Sequence, residues 1–139
     1  MMRVLVVEDE EMIRKGIVLA TDWQSLGCVV VGEAANGEEG IAQAEKCRPS
    51  LIITDLKMPK MDGLTMIAGL KSEFPYMQVS ILTGYREFTY AQEAIRLGVS
   101  AFLLKPSKMD ELYEAIENMT EKLKLFHIEE EQPEAVTEE

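Results

Sequence analysis

The chain reads as an α/β fold built on a doubly wound, five-stranded parallel sheet. Two patterns predict this. Five short apolar runs rich in β-branched residues alternate with stretches of helical period. One of the runs, Leu51–Thr54, is apolar throughout and stops at Asp55, as a strand buried on both faces would. Strict alternation implies right-handed crossovers and helices on both faces, and the commonest order for five such units is 2-1-3-4-5.

The elements follow in order. Arg3–Val7 is strand one, and helix one spans about Glu10 to Asp22, with Ile13, Ile17 and Ala20 at helical spacing. Trp23 caps the connection, Gly27 marks a turn, and Cys28–Val31 begins strand two, which runs on to about Ala34. Asn36 is placed to cap the next helix, with Glu38 and Glu39 in its favourable first turn. That helix ends near Lys46, before Pro49. Strand three delivers Asp55 to its carboxyl end. Gly63 opens helix three, whose Leu64, Ile67 and Leu70 share one side before Phe74-Pro75. Met77–Leu82 is strand four, ended by Thr83-Gly84. Helix four covers about Phe88–Leu97, with Ala91, Ala94 and Ile95 inward and Gly98 as its C-cap. Ser100–Leu104 is strand five, ended by Lys105-Pro106. Helix five starts near Lys108, with Leu112, Ile116, Met119 and Leu123 as its apolar stripe.

Length and composition bound the answer. The 139 residues suffice for one domain, here 1–126, and 47% hydrophobic content suits a soluble globular chain. From 127 to 139 the chain is acidic and aperiodic, and reads as a disordered tail or linker. No run is long enough to cross a bilayer, and Glu8-Asp9-Glu10-Glu11 stands where a signal cleavage region would need small neutral residues. A cytoplasmic protein without membrane contact is expected. The net charge of −11 leaves no basic face, so this chain alone should not bind nucleic acid. Cys28 and Cys47 read as unpaired thiols.

Strand one ends in Glu8-Asp9, strand three in Asp55, strand four in Thr83 and strand five in Lys105. In a doubly wound sheet these positions converge on one edge, beside the point where strand order reverses. Three close carboxylates repel, and one should hold its proton unless a cation compensates. Oxygen ligands with open water positions suit Mg²⁺. A carboxylate can act as a nucleophile that becomes an aspartyl-phosphate. Lys105 can then pair with one phosphoryl oxygen and Thr83 can donate to another. Taken singly each residue has a plainer role, as a cap, turn former or surface charge. Their joint placement points to a site.

The segments Val7–Glu10, Thr54–Gly63, Leu82–Gly84 and Phe102–Pro106 together resemble the receiver domain of bacterial two-component response regulators, a flavodoxin-like fold. The resemblance covers about residues 2–125. It implies that Asp55 accepts a phosphoryl group from the phosphohistidine of a sensor histidine kinase. It implies Mg²⁺ held by Glu8, Asp9, Asp55 and the backbone carbonyl of Lys57. Thr83 and Phe102 match the family's switch pair, and Lys105-Pro106 matches a peptide bond that is usually cis there. Lys57 and Tyr85 fall where side chains flank the phosphoryl group and tune its lifetime. The expected output face joins helix four, strand five and helix five, and serves dimerisation or contact with an output domain. Two departures stand out: Glu8 where many receivers have Asp, and Phe102 where Tyr is frequent. Trp23–Gly27 and Thr83–Phe88 resemble receivers attached to AraC-type DNA-binding domains, which implies an output in transcription.

Three other readings fit less well. A phosphatase of the haloacid-dehalogenase type carries a second acid two residues after its nucleophile, where Lys57 stands here. A flavin module would need a phosphate-cradling loop after strand one, where four acidic residues lie instead. A degenerate receiver would lack the acceptor set, which is intact.

Overall fold

The computed structural model describes residues 1–84, 94–105 and 108–138, with 127–138 by backbone alone. Five strands, β1 (Met2–Val7), β2 (Cys28–Ala34), β3 (Leu51–Asp55), β4 (Gln78–Thr83) and β5 (Ala101–Leu104), pair in parallel in the predicted order β2-β1-β3-β4-β5. Around them lie α1 (Glu11–Ala20), α2 (Gly37–Cys47), α3 (Gly63–Lys71) and a C-terminal helix, Met109–Glu138. Among the described residues no helix is long and apolar enough to cross a membrane.

Period-two alternation divides the core between the two faces of the sheet. Leu5, Val7, Ile52 and Ile81 pack with Met66, Ile67 and Leu70 of α3. Val4, Val6, Leu51 and Ile53 pack with Leu112, Ile116, Met119 and Leu123 of the C-terminal helix, the stripe read from sequence. All five residues of β3 are buried, Asp55 included. Each large apolar side chain so buried contributes roughly 1.5–3 kcal/mol, which holds β3 firmly in the sheet.

Local signals behave as their chemistry requires. The Asn36 side chain accepts from the Glu39 amide at 2.9 Å, and Glu39 reaches back to the Ala35 amide at 2.9 Å, a reciprocal cap for α2. Trp23 is buried, and its ring N–H donates to the Val18 carbonyl at 3.0 Å. The β1–β2 ladder slips after Val4, so Val30 and Gly32 pair with successive residues of β1 and Val31 is left over. The Val31 carbonyl accepts from the Cys47 thiol at 3.2 Å instead, and both cysteines are free, as expected.

Three expectations need correction. Ile95 is 72% exposed, whereas its neighbour Ala94 is fully buried. Consecutive helical residues point about 100° apart, and the sheet-facing line runs through Ala94 and the partly buried Leu97. The rest of the expected helix over 88–97, with Ala91, lies outside the described residues, as does Pro106. Ala20 ends α1 exposed, and no residue of α1 is fully buried. The backbone beyond His127 is helical to Glu138, where an aperiodic tail was expected. Its Glu, Gln and Ala residues are good helix formers that extend a helix already begun, although Pro133 lies among them.

The turn after β3 tolerates no side chain at Gly63. Its N–H donates to the Leu56 carbonyl at 2.7 Å, and a Cβ built there would stand 2.2 Å from the Asp55 carbonyl oxygen. Gly63→Ala should therefore cost about 1–3 kcal/mol in urea unfolding, despite the better helix propensity of alanine. Unchanged stability would show that the turn can open without cost.

Candidate functional site

The site is assembled by strand register. Val7 pairs with Thr54, so Glu8 and Asp55 emerge side by side from β1 and β3. Asp55 pairs with Leu82, one residue before Thr83, and Thr83 pairs with Leu104, one residue before Lys105. The Lys105 amide donates to the Thr83 carbonyl at 2.8 Å and extends that ladder past the strand end. The carboxyl ends of β1, β3, β4 and β5 thus carry Glu8-Asp9, Asp55, Thr83 and Lys105 to one rim, beside the reversal in strand order.

Lys105 holds the centre of the cluster. Its Nζ lies 2.7 Å from Glu8 Oε1 and 2.8 Å from Asp55 Oδ2. Asp55 Oδ1 accepts from the Leu56 amide at 2.7 Å, so both oxygens of the acceptor candidate are oriented. Glu8 is 1% exposed, and its Oε2 accepts from the Glu10 amide at 3.0 Å. Burial drives the Glu8 carboxyl up to about 7, and the Lys105 and Glu10 contacts only partly offset this. Burial alone would lower the Lys105 ammonium. Its bonds to Asp55 and Glu8 outweigh that and raise it above its ordinary value. Arg14 braces the same corner: its Nη1 donates to the Glu8 carbonyl at 2.7 Å, and its Nε to Glu33 at 3.1 Å.

The donor set fits a small hard cation. Glu8, Asp9 and Asp55 offer carboxylate oxygens that lie within 4.8 Å of one another, one from an exposed residue and two from buried ones. Two buried carboxylates already share a single ammonium, so further positive charge on the open Asp9 side is electrostatically favoured. Oxygen-only ligands with solvent access suit Mg²⁺ better than Zn²⁺.

The remaining candidates fall around this centre. Thr83 is buried at the end of β4. Phe102 pairs with Ile81, so its ring lies on the same sheet face as Thr83, partly buried against the core. Lys57 is exposed, two residues past Asp55. Tyr85 lies outside the described residues. Sequence reading missed the groups that hold the site in shape: the amides of Leu56 and Glu10, the guanidinium of Arg14, and the contact of Gly37 with the turn after β3. Asn36-Gly37 and Asp62-Gly63 were the only signals of that contact.

Comparison with known proteins agrees with this geometry. The family described as "Response regulator receiver domain" matches residues 4–117. An uncharacterized transcriptional regulatory protein of Bacillus subtilis, YesN, is 37% identical over 124 residues, 89% of this chain and 34% of that protein. The REC domain of AraT, a response regulator from Geobacillus stearothermophilus, superposes with a TM-score of 0.86 at 41% identity, covering 91% of this chain and 98% of that one. A two-component transcriptional regulator AraC from Clostridium phytofermentans superposes at 0.83 with 26% identity, covering 90% of this chain and 97% of that one. The chain spans only 34–54% of the length of the curated relatives it matches. With the acidic rim, the shared ammonium and the sheet order in agreement, the chain belongs to the response regulator receiver domain family of two-component systems.

Proposed function

We propose that residues 1–126 form a phosphoacceptor unit in which Asp55 receives a phosphoryl group from the phosphohistidine of a sensor histidine kinase. The observation that carries the reading is the Lys105 ammonium shared between Glu8 and Asp55 within a cluster of three carboxylates. In the transfer, an Asp55 oxygen forms the new P–O bond as the P–N bond of phosphohistidine breaks, and the bonding pair leaves on the imidazole nitrogen. Lys105 exchanges its carboxylate partner for a phosphoryl oxygen, and the Thr83 hydroxyl donates to another. Glu8, Asp9, Asp55 and the Lys57 carbonyl are the ligands for Mg²⁺, which when bound supplies positive charge against the phosphoryl oxygens.

The unit is regulatory and assists only its own phosphorylation and dephosphorylation. Phosphorylation shifts a pre-existing equilibrium through Thr83 and Phe102 toward an active face formed by helix four, β5 and the C-terminal helix. Phe102 has no hydroxyl, so the switch rests on packing. The face serves homodimerisation or contact with an output domain. That output is transcription, in the cytoplasm, through an AraC-like DNA-binding domain in cis or through a partner protein, with residues 127–139 as a tail or linker. The transcriptional regulators among its relatives support this part of the reading.

Three measurements test these assignments. Asp55→Asn should abolish the incorporation of phosphate from acetyl phosphate and Mg²⁺, read by intact-protein mass. Incorporation equal to the parent's would move the acceptor elsewhere. Lys105→Ala should lose about 1–3 kcal/mol of stability without metal, because two carboxylates lose their charged partner. Added Mg²⁺ should then raise its melting temperature more than the parent's. An equal rise would mean that ammonium and metal do not offset the same charge. Replacing Lys57 and Tyr85 together with Ala should change the dephosphorylation rate of the phosphorylated protein, because these side chains limit water's line of attack. An unchanged rate removes them from that role.

A further inference from the structure

Residues 56–63, which follow the acceptor, are held in a conformation they would not adopt alone. Lys60 has φ of 69°, a left-handed backbone that lysine disfavours. Met61 N donates to the Pro59 carbonyl at 2.7 Å, closing a three-residue turn around that same residue. Gly63 N donates to Leu56 at 2.7 Å and ties the far end back to β3. The Met61 carbonyl accepts from Gly37 N at 2.8 Å.

Gly37 comes from a different part of the chain. It is the first residue of α2, so its N–H has no partner within the helix. The neighbouring amides are committed locally: Glu39 N to the Asn36 side chain, and Gly40 N to the Asn36 carbonyl at 2.9 Å. The Gly37 amide alone of these is directed outward. The approach is close as well. A Cβ on Gly37 would stand 2.6 Å from the Met61 carbonyl oxygen, 2.7 Å from its Cγ and 2.9 Å from its Cβ. Only glycine permits the bond at this distance.

We propose that Gly37 is a positioning residue for the acceptor site, clamping the strained turn that carries Lys57 and so fixing how that residue faces Asp55 and the bound cation. This rests on the function proposed above. Gly37 touches neither the phosphoryl group nor the cation. It acts through Met61.

The same helix contains a matched control. A Cβ on Gly40 would meet the Met66 sulfur at 2.3 Å, a side-chain atom of α3 that can move, whereas Gly37 meets backbone. Gly37→Ala and Gly40→Ala thus both crowd α2 where it packs on its neighbours, but only the first meets the backbone of the turn. Three variants, with the parent, decide the matter: Gly37→Ala, Gly40→Ala, and Gly37→Ala combined with Lys60→Gly. The last relieves the left-handed strain without restoring the clamp.

Amide exchange across 57–62 without metal, and the Mg²⁺ dissociation constant by calorimetry, are the two readouts. Gly37→Ala should speed exchange in the turn and weaken Mg²⁺ binding by about tenfold or more. Gly40→Ala should do neither, whatever it costs in stability. Lys60→Gly should recover a large part of the lost affinity. Exchange in Gly37→Ala equal to that in Gly40→Ala overturns the clamp. Faster exchange with Mg²⁺ affinity equal to that of Gly40→Ala overturns its role in positioning. A parent protein that binds no Mg²⁺ overturns the function proposed above and, with it, the positioning role, while the exchange comparison still decides whether the clamp exists.

Discussion

Charge crowding at one rim of the sheet is the constraint on which the rest of the structure depends. Glu8 and Asp55 are both buried, and a buried carboxylate is costly unless a cation or hydrogen-bond donors compensate it. One ammonium, from Lys105, lies within 2.8 Å of both. The backbone amides of Leu56 and Glu10 add one bond to each. Even so, burial keeps the Glu8 carboxyl near 7, so the compensation is incomplete. A cluster that still favours added positive charge is suited to bind a cation and then to accept an anion. An apolar core would hold the strands together at lower cost, so the cluster is no stability device, and in the function proposed here it serves chemistry.

The fold supplies what the cluster needs by making its scaffold unequal. β3 is buried along its whole length, so Asp55 stands on a strand fixed from both sides. Its side chain, the turn that follows and the start of α3 are then linked in sequence through Leu56 and Gly63. The α2 terminus closes the set from the neighbouring crossover. Precision at Asp55 is therefore a property of two βα units together, β2–α2 and β3–α3, which share the packing of Gly37 and Gly40 against the turn and α3.

Much of this was legible in the sequence because strand ends carry strong, local signals. Apolar runs that stop at Glu8, Asp55, Thr83 and Lys105 mark both the strands and the rim. Parallel alternation does the rest, since it forces every strand's carboxyl end to the same side. What could not be read depends on distances between elements. Glu8 and Asp9 look equivalent in the sequence, yet one is buried and the other exposed, because only the residue adjoining the strand follows it into the core. Ala94 and Ile95 are both apolar, and one helical step separates the buried position from the exposed one. The link between Gly37 and Met61 joins residues 24 apart, and it appears in the sequence only as a glycine after a cap. The helix past His127 was hidden by composition, where acidity and a proline outweighed the helix propensity of the residues between them.

The same inequality of burial gives a direction to any signal from the site. No residue of β5 is fully buried, and Leu104 at its end is 53% exposed, in contrast to every residue of β3. Lys105 follows Leu104 directly, and Phe102 lies two residues before it. A change in the partner of Lys105 thus pulls between a fixed Asp55 and a loosely held edge strand, and the edge strand has less packing to lose by yielding. Phe102 shares a sheet face with Thr83 through the pairing of Ile81 with Phe102, so a shift of β5 and a shift of the Thr83 hydroxyl act on the same packing. In the function proposed here, the switch follows from where burial is weakest, and no hydroxyl on the aromatic residue is required for it to work.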